Sequence, residues 1–190
     1  MAEQVQINLS KVMSQLLLLE AGRWVTIREQ GTNKGQMVEL FQKAVDGKAQ
    51  GEAWCMAYVQ YCVKMAYEQF NISHPHVAGY IQNILYPSEH CLTVWNKTPA
   101  IARTEKPYPG CLVIWRHGNT TNGHVGIIRE VSEDMKTLYT FEGNTGAGVG
   151  VVREGDGVYP RTRSAEGSGE MKVVGYLEPF VHIPGQTPQA

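Results

Sequence analysis

Apolar residues recur at helical spacing through the first third of the chain, then alternate or run continuously through the second half. Val12, Met13, Leu16, Leu17 and Leu19 share a helix that Ser10 can cap. Gly31-Thr32-Asn33 interrupts the pattern, and Asn33 can cap a second helix carrying Met37, Val38, Leu40, Phe41 and Val45. Asp46-Gly47 ends that helix. A third helix is predicted over 53–67, with Cys55, Val59, Cys62 and Ala66 spaced for one face. Residues 79–96 read as shorter helical pieces broken at Pro87, and 99–110 as a loop ending in the turn Pro109-Gly110. Strands follow over 111–115, 124–131, 137–141 and 148–153, with a last one over 172–177. The Gly- and Arg-rich stretch 155–169 reads as an exposed loop.

Helices first and an antiparallel sheet afterwards predict an α+β domain with the third helix packed on the sheet. No internal repeat or linker divides the chain, so 1–190 is read as one domain with a core of about 25–178 and a frayed tail over 184–190. At 190 residues, 43% hydrophobic and 18% charged, the chain can bury a sizeable core. A formal net charge of -1 offers no electrostatic case for nucleic acid. The run Leu16 to Leu19 is far too short for membrane insertion. The N-terminus lacks a basic segment followed by a cleavage site, so no signal peptide is expected. The four cysteines allow disulfides, of which Cys91–Cys111 is the candidate pair. Cys55 and Cys62, two turns apart on one helix, are too distant to bridge, and Cys62 and Cys111 read as buried core residues.

Cys55 is the candidate nucleophile. It sits in Gly51-Glu52-Ala53-Trp54-Cys55-Met56-Ala57-Tyr58-Val59, at the first turn of an apolar helix. A free thiol has a pKa near ~8.5, but a helix N-terminus and a neighbouring imidazole both favour the thiolate. His124 in Gly123-His124-Val125-Gly126 can supply that imidazole and later protonate a leaving amine. Glu142 and Asn144, two apart on the next strand, are expected on one face, where either can orient His124 and the other assist. The oxyanion hole would include the Cys55 N–H, with Gln50 as the upstream side-chain donor. Trp54 and Tyr58 would form walls or packing around it.

At these residues the chain resembles the CHAP family, the cysteine- and histidine-dependent amidohydrolases/peptidases of the papain-like superfamily. Trp54-Cys55-Met56-Ala57-Tyr58-Val59 is similar to its nucleophile segment. Tyr108-Pro109-Gly110-Cys111 through Trp115 resembles the Pro-Gly strand that precedes its histidine. Gly123-His124-Val125-Gly126-Ile127-Ile128 and Glu142-Gly143-Asn144-Thr145 resemble the two segments that follow. Glu29-Gln30-Gly31-Thr32-Asn33-Lys34-Gly35 resembles a helix-connecting loop of a subgroup. The resemblance implies a papain-like fold and cleavage of peptidoglycan amides, by an N-acetylmuramoyl-L-alanine amidase or an endopeptidase. It implies Cys55 as nucleophile, His124 as base, Glu142 as orienting group and Asn144 as its assistant. Peptidoglycan is then the expected partner and no cofactor is expected. Cys111 stands where the family commonly carries an acidic residue, so a different stabilisation of that turn is expected. Some relatives bind calcium near the nucleophile, but Asp46 and Glu52 fall short of a loop rich in oxygen ligands.

With no wall-binding module read in the sequence, a phage-type lysin and an effector carried by other machinery both fit. The protein is expected to be made in the cytoplasm and to act on the wall after release or delivery. The sequence names neither a delivery partner nor a cognate inhibitor. Two other classes compete. His74, His76, His90 and Cys91 have zinc-capable side chains at no standard spacing, or they are polar residues on a substrate-facing loop. A catalytically inactive papain-like binding module would keep the fold without the reactive thiol.

Overall fold

The computed structural model describes residues 2–147 and 155–183. Its elements run α1 (Ala2–Arg23), α2 (Gln36–Asp46), α3 (Cys55–Ser73), β1 (Ile81–Asn83), α4 (Cys91–Lys97), β2 (Arg103–Thr104), β3 (Leu112–His117), β4 (Gly123–Val131), β5 (Thr137–Thr145), β6 (Gly157–Ser164), β7 (Met171–Leu177) and β8 (Phe180–His182). Strands β2-β7-β3-β4-β5-β6, in that order, form a six-stranded antiparallel sheet. β1 and β8 pair separately. The N-terminal helices pack on the large sheet, so the fold is α+β and papain-like, as expected.

Several expected boundaries move. Ser10 lies inside α1, because Ala2, Glu3, Gln4 and Gln6 are good helix formers and carry the helix upstream. Asn33 does not cap α2: Gly35 precedes that helix, without a side-chain cap, and Asn33 adopts a positive φ of 53° in the turn. Gly47 closes α2 in the left-handed region at φ 84°, where glycine is favoured. α3 continues to Ser73 because nothing breaks it before Pro75. Within 79–96 the chain makes the strand β1, whose partner β8 lies about a hundred residues downstream and leaves no local signal.

The largest correction concerns 155–169. Residues 157–164 form β6, an edge strand paired along β5. Val158, Tyr159 and Thr162 favour a strand, and Pro160 is tolerated at an edge. Arg161 and Arg163 are buried, not exposed. The strand expected over 148–153 and the tail 184–190 lie outside the described residues.

α3 is covered by α1 and α2 on one side and by β4 and β5 on the other. Its Met56, Ala57, Tyr58, Val59, Cys62 and Val63 are accordingly fully buried. Phe41 of α2 stacks on Trp54 at 5.9 Å and meets Tyr58 edge-on at 5.5 Å. The Tyr58 hydroxyl donates to the Ala21 carbonyl of α1 at 2.8 Å. Gly143 lets β5 approach this ring: a Cβ there would lie 2.8 Å from the Tyr58 side chain. These contacts fix the start of α3 relative to β4 and β5, which carry the remaining candidate residues.

Candidate active site

Cys55 is the first residue of α3. The first amides of a helix lack intrahelical partners, so its N-terminus presents free donors. The segment in front of it is held from four directions. Asn33 Nδ2 donates to the Gly51 carbonyl at 3.1 Å, and buried Gln42 donates to the Glu52 carbonyl at 2.8 Å. Trp54 Nε1 donates to Glu29 Oε1 at 2.6 Å, while the other Glu29 oxygen accepts the Asn33 N–H at 2.9 Å. With its amide oriented to suit both neighbours, Asn144 accepts from the Trp54 N–H at 3.1 Å and donates to the Gly155 carbonyl at 3.0 Å.

His124 and Glu142 are buried together. His124 Nε2 and Glu142 Oε2 are 2.9 Å apart. With Nε2 engaged, Nδ1 is the nitrogen left for Cys55. Glu142 is surrounded by donors: Thr140 Oγ1 gives to Oε1 at 2.6 Å, and Arg163 grips both oxygens, Nε to Oε1 at 2.9 Å and Nη2 to Oε2 at 2.5 Å. Arg163 lies opposite Leu138 in the register, so it shares the sheet face of Leu138, Thr140 and Glu142 and can run along it. Trp115, opposite His124 on β3, stacks on the imidazole at 5.8 Å.

The electrostatics follow from this packing. Burial opposes ionisation of Glu142, but the hydrogen bonds from Arg163 and His124 outweigh it and bring the carboxyl down to about 2. Burial likewise opposes a charged His124, yet its contacts with Cys55 and Glu142 raise it to about 9. A hydrogen bond from Cys91 lowers the Cys55 thiol well below its ordinary value against the penalty of burial, helped by His124 and by the Met56 amide. These contacts favour a thiolate beside an imidazolium, backed by a carboxylate and a guanidinium.

A cavity of about 600 Å³ opens over the pair. Cys55, His124, Asn144 and Arg163 reach it, with Glu89 and His90 on one side and the β3–β4 loop residues Asn119 and Asn122 on another. The expectations for the remaining residues fare unevenly. Gln50 is exposed and is not part of the cavity wall; its backbone N–H is turned to Glu52. Trp54 is fully buried and packs beneath the nucleophile segment rather than facing the cavity. Glu142 and Asn144 do not share one task. The pairing slips between Glu142 and Thr145, Asn144 takes a φ of 51°, and each serves a different partner.

The zinc grouping is not brought together. His74 ends α3 stacked on Phe70, and neither it nor His76 lines the cavity that His90 and Cys91 border. Among the described residues, no group of three or more His, Cys, Asp or Glu side chains is placed to hold a metal ion. Burial and the neighbouring Glu52 carboxylate push Glu89 up to about 7. The cysteines are free, and the supposed Cys91–Cys111 pair is split between two apolar clusters. Cys91 lies beside Cys55 instead.

Residues 47–144 match the CHAP domain, over more than half of the chain. The chain belongs to the CHAP family. No curated protein and no solved structure matches it. Members of the CHAP family are cysteine-dependent amidohydrolases and peptidases that act on peptidoglycan. The matched span contains Cys55, His124, Glu142 and Asn144 but stops short of Arg163, and it begins after the Glu29–Asn33 turn that holds Trp54. The turn that enters β3, the strand before the histidine strand, is held by sulfur as well as by backbone. The Tyr108 N–H donates to Cys111 Sγ at 3.3 Å, and burial keeps that thiol neutral, with a pKa of about 12.

Sequence reasoning missed Arg163, Thr140 and Trp115 as neighbours of the site; His90 and Cys91 border the cavity, as the substrate-facing reading of them expects, but the contact of Cys91 with Cys55 is new. Arg161 and Arg163 alternate with strand-forming residues, which is a signal for two basic side chains on one strand face. Trp115 is reachable by pairing β3 with β4 antiparallel. The approach of Cys91 to Cys55 carries no local signal, because only the tertiary fold brings α4 to α3.

Proposed function

We propose that this chain is a thiol-dependent peptidoglycan hydrolase that cleaves an amide through a Cys55 acyl-enzyme. The observation that carries the reading is the buried Cys55–His124–Glu142–Arg163 chain under an open cavity in a CHAP-family fold. Cys55 Sγ attacks the scissile carbonyl, and the developing oxyanion turns to the Cys55 N–H at the start of α3. His124 gives the proton on Nδ1 to the leaving amine. It then takes a proton from the water that attacks the thioester, and the freed acid departs. Glu142 keeps Nε2 fixed and stays ionised throughout, because Arg163 and Thr140 hold its charge. Asn144 acts on the backbone before the nucleophile, as a positioning residue.

The bond cut is the lactyl–L-alanine amide or an amide within the stem or cross-bridge peptide. The biological setting is a lysin or a delivered effector, made in the cytoplasm and acting on the wall after release or delivery. Purified peptidoglycan digested with wild type and with Cys55→Ala, and read by mass spectrometry, tests the reading. New ends at the sugar–L-alanine bond with wild type alone mean an amidase, and new ends within the peptide mean an endopeptidase. No fragments from several wall types would overturn wall hydrolysis and favour a binding module.

A further inference from the structure

Cys91 has no part in the acyl-transfer steps, yet it occupies a defined place at the site. It is the first residue of α4 as Cys55 is of α3, and the two sulfurs lie 3.6 Å apart. Both are free and buried, at 7% and 2% exposure, and both border the cavity, through which a small oxidant can reach them. β4 holds Cys91 there: a Cβ at Gly123 would sit 3.0 Å from the Cys91 Cβ, so the strand leaves room for this side chain and little more. A disulfide needs a sulfur separation of ~2 Å, a closure within reach of small side-chain rotations.

We propose that Cys91 is a resolving thiol, so that oxidation of Cys55 by a peroxide closes a reversible Cys55–Cys91 disulfide that switches the site off and shields the nucleophile from irreversible oxidation. In the first step the Cys55 thiolate attacks hydrogen peroxide. An S–O bond forms, the O–O bond breaks, and hydroxide leaves, giving Cys55 sulfenic acid. In the second step Cys91 attacks the sulfenic sulfur. The S–S bond forms, the S–O bond breaks, and the hydroxyl leaves as water with the Cys91 proton. Two thiols are oxidised and one peroxide is reduced. A small dithiol reverses the product by two exchange steps.

The order of events is built into the pair. Its hydrogen bond to Cys55, together with burial, keeps Cys91 protonated while Cys55 carries the charge. Once Cys55 is a neutral sulfenic acid, that constraint is gone and Cys91 can react. Cys62 and Cys111 are held elsewhere in the core and serve as internal controls. The proposal rests on the reactive Cys55 of the proposed function, not on its wall substrate, and its test reads masses rather than hydrolysis.

The full chain is treated with hydrogen peroxide, alkylated, and mapped by mass spectrometry without reduction. The expected product is a linked Cys55–Cys91 peptide in a chain ~2 Da lighter, fully reversed by dithiothreitol. In Cys91→Ser the same treatment should carry Cys55 to the sulfinic acid, ~32 Da heavier and not recovered by dithiothreitol. Wild type with Cys55 oxidised but unlinked overturns the proposal, and so does a folded Cys91→Ser protein whose Cys55 recovers as fully as wild type. The wild-type map decides the question even if Cys91→Ser does not fold.

Discussion

Arg163→Met removes two charge-assisted hydrogen bonds from a carboxylate that has no access to solvent. The Glu142 pKa is lowered from 4.5 to about 2, which corresponds to about 3 kcal/mol of preference for the ionised form, net of the cost of burial. The Arg163 hydrogen bonds are the main source of that preference, with His124 contributing beside them. Breaking a buried ion pair on one side typically costs about 3–5 kcal/mol, in line with this figure. Urea unfolding at neutral pH should therefore show a loss of about 3 kcal/mol for Arg163→Met. In the double variant with Glu142→Gln, no charge is left unpaired, so it should lose less than the two single changes added together. The acid side gives a second reading. The Glu142 contribution to stability is present above its unfolded value of 4.5 and fades as pH falls toward about 2. Without Arg163 the folded pKa rises, so acid unfolding should begin at higher pH. A loss under ~1 kcal/mol, with an unchanged acid limb, would refute the reasoning, because a surface ion pair behaves that way.

In the proposed mechanism, kcat/KM should rise as Cys55 ionises, well below the ordinary thiol range, and fall as His124 deprotonates near 9. Glu142→Gln should move that alkaline limb down and lower kcat by roughly 10²-fold, less than the complete loss expected of Cys55→Ala; an unmoved limb separates Glu142 from the imidazole. Asn144→Ala should cost ~1–3 kcal/mol in unfolding and lower kcat more than it alters KM, since Asn144 holds the Trp54 amide. Gly143→Ala should destabilise by about 1–3 kcal/mol in thermal melts, because its methyl would meet the Tyr58 ring at 2.8 Å.

The principal residues of the candidate site are legible in the sequence because each carries a local signature. Cys55 opens an apolar helix, His124 lies between glycines on a strand, and Glu142 follows on the next strand. What it did not reveal is non-local. β1 pairs with β8 across most of the chain, so its three residues look like any short apolar piece. β6 was hidden by glycines at its edges and by arginines that composition alone marks as exposed. Arg163 is buried because Glu142 is there to meet it, and neither fact is visible without the β5–β6 pairing. The reading of Glu142 and Asn144 as a same-face pair failed on a bulge, which a strict two-residue alternation does not foresee. Gln50 has the chemistry and position of a side-chain donor, but the Glu29–Asn33 turn holds the chain through other groups and leaves Gln50 in solvent.

The central claim is that this fold makes a reactive thiolate at Cys55 through the Cys91 hydrogen bond and the neighbouring His124 imidazole. Alkylation of Cys55 by iodoacetamide, followed by peptide mapping across pH in wild type and His124→Ala, tests it most directly. The predicted result is rapid modification of Cys55 already near pH 6, slowed markedly in His124→Ala, with Cys62 and Cys111 inert in both. Modification that is slow near pH 6, rises only toward the free-thiol pKa of ~8.5 and is indifferent to His124 would contradict the account.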